Sequence, residues 1–327
     1  MRARSVQAPS SVVMIRPHRF HPNPDTAADN AFQRQTDGRP PADLAAAAYD
    51  EVTQMAAILE EEGVRVHLFE DRGQNDTPDS VFPNNWFTTH HGGHVAVFPM
   101  HCPSRRRERR TDVIEMLKFE YRVQDVIDYS CLEHDRLFLE GTGAMVLDQL
   151  DRVAYTVRSN RADPIPLERF CTHFRFEPMA FDALDESERP VYHTNVLMTI
   201  ATDFALVGVD LMTDASRREE VVQRLSDVGR TVIPLTNHQI GEFAGNAMEL
   251  CGKDGRILAM SSRAVASLLP EQREIIESYV SIVPLDVPTI ELAGGSVRCM
   301  MAGIHLARRP SPDAELHIAT PPVRERA

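Results

Sequence analysis

Lysine is nearly missing from this 327-residue chain: Lys118 and Lys253 are the only two, and arginine carries the positive charge. Basic residues number 35 against 48 acidic ones, a formal net charge of −13. That deficit argues against a nucleic-acid groove or a membrane-surface patch, since both need clustered cations. The one dense cluster, Arg105 to Arg110, is interrupted by Glu108 and opens a helix-like stretch, so it is expected to be a solvated face. Long apolar runs are missing too. No window approaches the ~18 apolar residues of a membrane span, and the opening MRARSVQAPSSVVMIRP lacks the apolar core of a signal peptide. Cysteine is sparse and odd in number: Cys102, Cys131, Cys171, Cys251 and Cys299 share no CxxC spacing. A disulfide framework and a structural zinc knuckle are therefore not expected, and a reducing cytoplasm is the expected compartment. What is present is globular in kind, 43% apolar and 25% charged, so disorder is excluded as the main state.

A pattern recurs roughly every 60 residues. Each unit reads as an amphipathic helix, a β-branched strand, a second strand carrying unusual polar residues, and a third strand. The helical pieces are AAAAYDEVTQMAAILEEEG, RRTDVIEMLKFE, a short one near Pro166 to Cys171, SRREEVVQRLSDVG and PEQREIIESYV. The early strand SVVMIRP has no helix before it and is expected to complete the last unit by pairing across the termini. Five such units suggest a closed ring, which removes the sheet edges that isolated units would expose. The alternative is two ordinary α/β domains. The fold class expected is α/β, a fivefold pseudo-symmetric propeller forming a single catalytic domain over residues 11–307. Residues 1–10 and 308–327, polar and proline-punctuated, are expected to be mobile ends.

The second strands hold the chemistry. Asp79, Asn84 and Asn85 lie on or just before the first of them, Glu140 at the matching place in the next, then His193 with Asn195, then Asn246, then Cys299. In a ring of repeats, equivalent positions converge near the axis. A cysteine, a histidine and a carboxylate brought to one cavity form a nucleophile, a proton carrier and its orienter. Singly, each has a plainer reading: an inert core thiol for Cys299, a satisfied core histidine for His193. Glu140 resists one, because a carboxylate in the apolar FLEGTG costs several kcal/mol to bury unpaired.

The segments FLEGTGAMVLD, YHTNVLM and GGSVRCMMAGIHL, in that order and preceded by DSVFPNNWF, resemble the guanidine-modifying (pentein) superfamily. It includes arginine deiminase, dimethylarginine dimethylaminohydrolase and the amidinotransferases. The resemblance covers about residues 11 to 307 and is greatest to the amidinotransferase-like branch assigned as citrulline-utilisation hydrolases. It implies a fivefold α/β propeller. It implies Cys299 as nucleophile, His193 as general acid and base, and Glu140 as the carboxylate partner of His193. It further implies that Asp79 holds the substrate's α-amino group, that Phe82 lies against its stem, and that Arg161, in RSNRAD, grips its carboxylate.

Departures from the superfamily pattern carry information. Its arginine deiminases have carboxylates where Asn85 and Asn195 stand, and its dimethylarginine hydrolases have an acidic pair where Asn84 and Asn85 stand. Carboxylates suit a guanidinium cation, whereas an amide offers both donor and acceptor to a neutral ureido group. Gly143 also replaces the Asp of the common LEGGD. The expected function is thus a cysteine-dependent hydrolase of a ureido amino acid, foremost citrulline to ornithine, CO2 and ammonia. A guanidine hydrolase is the alternative, and a non-catalytic binding scaffold stands behind both. No cofactor or metal is called for. His90, His91, His94 and His101 are expected to be solvent-side histidines around a hairpin turn at His91-Gly92-Gly93, and His238 is a weak further candidate. The only expected partner is the small amino-acid substrate, with no nucleic acid or membrane. The oligomeric state is left open, a homo-oligomer included.

Overall fold

The computed structural model describes residues 6–310 except 35 and 37. Five three-stranded sheets share one design. In each, a short inner strand pairs antiparallel with a middle strand, which pairs parallel with an outer one. In chain order the strands are β1 (Ser11–Pro17), β2 (Arg65–Asp71), β3 (Phe87–His90), β4 (His94–Val97), β5 (Asp125–Asp128), β6 (Met145–Asp148), β7 (Val153–Val157), β8 (Glu177–Phe181), β9 (Met198–Ile200), β10 (Phe204–Val207), β11 (Thr231–Pro234), β12 (Met248–Cys251), β13 (Arg256–Ser261), β14 (Ser281–Leu285) and β15 (Ala302–Gly303). The inner strands are β3, β6, β9, β12 and β15. Among the inner strands, β15 touches β3, β6 touches β9, and β9 touches β12. The ring closes through the chain's two ends, with Val12 opposite Gly303 and Val13 opposite Ala302.

The repeat is visible in this architecture, but its frame shifts by one strand. Each helix leads from the middle strand of a sheet to its outer strand, so the strand following a helix belongs with the two strands before it. Physically, two parallel neighbours need a long crossover, whereas antiparallel ones need only a tight turn. The helices are those crossovers: Pro41–Glu61, Thr111–Glu120, Pro164–Phe174, Ala215–Ser226, and Ser262–Ser267 with Pro270–Glu277. Helix Pro41–Glu61 buries Leu44, Ala48, Val52, Met55, Ala56 and Leu59, an i, i+4, i+8 stripe that lies against β1 and β2. Asp163 and Asp214 cap the helices they precede, accepting from the amides of Ile165 and Arg217. Inner and middle strands are buried almost throughout and outer strands are half-exposed, which sets the apolar core between the ring and its helices.

Of the expected mobile ends, residues 1–5 and 311–327 lie outside the described residues. Within the described part, the Gln7 amide donates to Leu147 and Ile200 carbonyls at 3.0 and 2.9 Å, and Arg309 donates its amide to Glu120. The second strands are also shorter than their polar motifs suggest. The motif residues occupy tight turns, Pro83–Asn85, Gly141–Ala144 and Thr194–Val196, immediately before β3, β6 and β9. These turns aim the polar side chains at one end of the axis.

Among the histidines, β3 and β4 do join through a turn at residues 91–93. His90 is nevertheless not solvent-side: it is 1% exposed, packed among Phe170, Phe174 and Phe176, and paired with the Thr88 hydroxyl. Alternation along β3 turns this ring inward beneath helix Pro164–Phe174. Among the described residues no helix is long and apolar enough to cross a membrane.

Candidate active site

At the end of the axis defined by those turns lies a narrow cavity. Cys299, His193, Asp79, Phe82, Asn85 and Arg161 line it, all six expected from the sequence. Glu140 and Asn195 stand directly behind the lining. Asn84 is buried one step further back, its side-chain nitrogen without a partner. His238 is exposed on the short helix Asn237–Gly241 and does not reach the cavity.

Cys299 follows a turn in which its amide donates to the Ser296 carbonyl at 2.9 Å. Two side-chain amides donate to its sulfur, Asn195 Nδ2 and Asn246 Nδ2, each at 3.3 Å. Asn246 is held in turn by donating to the Asn195 carbonyl at 2.8 Å and by accepting from the Arg298 amide at 3.1 Å. Two fixed N–H groups directed at one sulfur are placed to stabilise charge that develops there. A Cβ on Gly295 would lie 2.8 Å from the Phe82 ring and 3.2 Å from Cys299 Cβ, so glycine lets the turn that leads to Cys299 pass beside the aromatic wall.

His193 Nε2 bonds Glu140 Oε2 at 2.8 Å, and Glu140 Oε1 accepts from the His101 amide at 2.9 Å. Arg161 and Arg105 approach the same carboxylate to 3.6 and 3.7 Å. Burial opposes ionisation of Glu140, but Arg161, His193 and Arg105 outweigh it and hold the carboxyl well below its ordinary range. For His193, burial dominates; with Arg161 and Arg105 nearby it pushes the imidazole down to about 4 despite Glu140. The ring is therefore neutral at neutral pH, with Glu140 fixing its orientation.

Arg105 corrects the sequence reading of the arginine cluster. It is 2% exposed and lines the cavity. Its Nε and Nη2 bond both oxygens of the buried Glu108 at 3.0 Å, and Asp79 lies 3.7 Å away. A cation at this depth needs carboxylates around it, and Glu108 supplies two oxygens from the next turn of chain. The Asn85 carboxamide, oriented by its hydrogen-bonding neighbours, accepts from Arg105 at 2.8 and 3.0 Å and donates to Asn84 Oδ1 at 3.1 Å. A side chain at 143 has no room: its Cβ would lie 2.1 Å from that carboxamide and 2.9 Å from the His193 ring. The glycine that departs from LEGGD thus makes space for Asn85 and His193.

Asp79 accepts from Asn23 Nδ2 at 2.8 Å through Oδ2, while its buried Oδ1 has no partner. Burial raises its pKa against the pull of Arg105. Arg161 lies over the Tyr192 ring, 4.7 Å from its centroid, and is gripped by both oxygens of Asp29. Asp29 belongs to a strap, residues 23–34, tied down by Asn23 to Asp79 and by Asn30 Nδ2 to the Ala293 carbonyl at 2.9 Å. The cavity is thus roofed, with two buried arginines and one half-free aspartate facing inward, opposite the Cys299, His193 and Glu140 set. Such a lining complements an α-amino acid at one end and a carbon electrophile at the other. Sequence reasoning missed Arg105 and Asp29, and it named Asn246 only as a polar residue in a matching frame. The signal for Arg105 was the acid three residues on, a spacing that pairs the two within one turn.

The eukaryotic N,N dimethylarginine dimethylhydrolase family profile matches residues 16–306 of the chain. No curated protein matches it. Solved structures do. The N-terminal domain of ArgZ, an arginine dihydrolase from the ornithine–ammonia cycle in cyanobacteria, superposes with a TM-score of 0.69 at 16% identity, covering 90% of this chain and 97% of that domain. Unliganded AgrE gives 0.70 at 16% identity over 92% of this chain, which spans 40% of AgrE. A dimethylarginine dimethylaminohydrolase from Pseudomonas aeruginosa, complexed with citrulline, gives 0.60 at 14% identity over 91% of this chain and 100% of that one. At these identities the likeness is one of fold, and the fold is the fivefold pentein propeller.

Proposed function

This chain belongs to the N,N dimethylarginine dimethylhydrolase family, and from that premise we propose that it is a cysteine-dependent hydrolase of ureido or guanidino amino acids, with citrulline as its substrate. Cys299 is the nucleophile, His193 the proton carrier and Glu140 its orienter. Arg105 and Arg161 take the α-carboxylate and Asp79 Oδ1 the α-ammonium, each answering one charge of a free amino acid. Phe82 lies along the stem. The carboxylate of Asp29, now on Arg161, is displaced when the substrate's own carboxylate arrives.

Neutral His193 takes the proton that leaves Cys299 as sulfur bonds the ureido carbon. The imidazolium, steadied by Glu140, gives that proton to the departing nitrogen as the C–N bond breaks, leaving an S-carbamoyl cysteine. His193, neutral again, takes a proton from water, whose oxygen attacks the carbonyl. The thiolate departs, recovers the proton, and the carbamic acid released decomposes. From citrulline the products are ornithine, CO2 and ammonia.

The observation carrying the ureido reading is Asn195. Its Nδ2 donates to the sulfur while its buried Oδ1 has no partner, so it presents an acceptor to a substrate N–H without placing a charge beside Cys299. Asn85 no longer supports the same argument, because its oxygen is committed to Arg105. A second reading, a guanidine hydrolase, is favoured by the family's name and by the arginine dihydrolase ArgZ. Purified protein is to be incubated with citrulline, arginine and N,N-dimethylarginine, with ammonia, ornithine, citrulline and dimethylamine quantified. Ornithine from citrulline supports the proposal. Turnover of arginine or dimethylarginine with citrulline left untouched overturns it in favour of the second reading.

A further inference from the structure

The ring encloses a second space, unconnected with the first. The inner strands surround an axial cavity of about 50 Å³, to which all five contribute and with which the substrate cavity shares no lining residue. Gln7 crosses it, donating to Leu147 and Ile200 carbonyls and accepting from the Gln149 amide at 2.8 Å.

Arg298 is the feature of this cavity that needs a reason. It precedes Cys299 in the chain, yet its side chain lines the axial cavity and not the substrate one. Its guanidinium has five N–H donors and makes one bond to a carbonyl, that of Met301 at 3.3 Å. Arg298 is half-buried; the fully buried arginines of this protein are treated differently. Arg105 has Glu108, Arg161 has Asp29, and Arg230 has Asp148. Among the described residues no carboxylate comes within 4 Å of Arg298. The one acidic residue lining the cavity, Glu249, is already bound to the Thr202 amide and hydroxyl at 2.8 and 2.7 Å and to Arg256 at 2.9 Å. Burial pushes the Arg298 guanidinium down to about 10, with only the neighbouring Cys299 pulling the other way.

His305 lines the same cavity with a buried Nδ1 that meets no partner. Burial, helped by Arg298, pushes its imidazole down to about 4, so it adds no second positive charge. The cavity therefore presents one cation without a carboxylate partner and an unpaired ring nitrogen, while the threonine hydroxyls of β3 and β9 that line it are bonded to His90, Gly303, Gly245 and Ala247.

We propose that this axial cavity binds a small monovalent oxyanion of the bicarbonate kind, held by the Arg298 guanidinium with His305 beside it. A planar guanidinium pairs two oxygens of a planar oxyanion at once. One cation sets one negative charge. A ligand that carries its own proton matches a neutral imidazole, which a halide or nitrate does not. The inference stands apart from the identity of the substrate, because it rests on residues of the other cavity.

The test is thermal unfolding and titration calorimetry of the full chain with potassium bicarbonate at pH 8, against potassium nitrate and chloride at matched ionic strength. Bicarbonate is expected to raise the melting temperature and bind saturably in wild type and in Arg161→Ala, where the substrate clamp is removed. Arg298→Gln is expected to weaken that binding at least tenfold, the loss of a charge-assisted bond. Should Arg298→Gln not fold, Arg298→Lys keeps the charge but loses the bidentate fork and is expected to bind more weakly than wild type. No bicarbonate-specific effect in wild type, equal effects of the three anions, undiminished binding in the Arg298 variants, or loss in Arg161→Ala each overturns the proposal.

Discussion

Replacing Arg105 by glutamine removes the cation that the cavity's carboxylates share. The wild-type guanidinium sits 3.0 Å from both oxygens of Glu108 and 3.7 Å from Asp79 and from Glu140. Without it, Glu108 loses its paired cation, and Asp79 and Glu140 are left with Arg161 as their nearest one. Breaking a buried pair from one side costs roughly 3–5 kcal/mol, and part of that is relieved as Glu108, whose carboxyl burial pushes upward, takes a proton once Arg105 is gone. Before that relief the melting temperature is expected to fall by about 6–20 °C, at roughly 2–4 °C per kcal/mol. The substrate loses a charge-assisted bond to its carboxylate, worth about 1.5–3 kcal/mol, or roughly ten- to 150-fold in KM. Steady-state kinetics with citrulline and with its decarboxylated analogue separate the two effects. KM for citrulline is expected to rise in that range, while KM for the analogue changes little. An equal rise for both substrates refutes a carboxylate-binding role and reduces Arg105 to a structural cation.

Three further outcomes follow from the same geometry. Asn195→Asp replaces a donor to the Cys299 sulfur by a charge, so citrulline turnover is expected to fall about ten- to a hundredfold and the ratio of arginine to citrulline turnover to rise; an unchanged ratio shows that substrate charge is not read there. Because His193 titrates near 4 in place of 6.5, the acidic limb of kcat/KM is expected near pH 4, and a limb near 6.5 contradicts the neutral, buried imidazole. The sign for stability is the same: between pH 6.5 and 4 the unfolded chain binds a proton that the folded one refuses, so this residue lowers stability as pH falls through that window. Asp29→Ala frees Arg161 from its internal carboxylate and is expected to lower KM for citrulline several-fold; a raised KM instead assigns Asp29 to substrate binding.

What the sequence disclosed, and what it hid, follow from range of interaction. Helix Pro41–Glu61 was legible because its buried stripe is a local period. Closure of the ring by SVVMIRP was legible because a lone strand at one end needs a partner at the other. The frame of each sheet was hidden, since strand pairing across a helical crossover leaves no local mark. Cys299, His193 and Glu140 stood out as polar residues at matching places in apolar strands. Arg105 and His90 did not, because whether a charged or aromatic ring faces solvent is decided by what the rest of the chain lays over it. Here that cover is Asn85, Asp79 and Glu140 for one, and helix Pro164–Phe174 for the other. Asn85 was legible as an amide in place of an acid, but its partner, Arg105, became apparent only once two distant turns met.

The central claim is that Cys299 carries the reacting carbon between two proton transfers of His193. Acid-quenched turnover of citrulline, followed by proteolysis and mass spectrometry, tests it directly. The account predicts a carbamoyl group on the peptide containing Cys299, absent without substrate and absent from Cys299→Ser, which retains its fold and loses turnover. Turnover surviving in Cys299→Ser, or a substrate-derived adduct on Cys102 in its place, would contradict it.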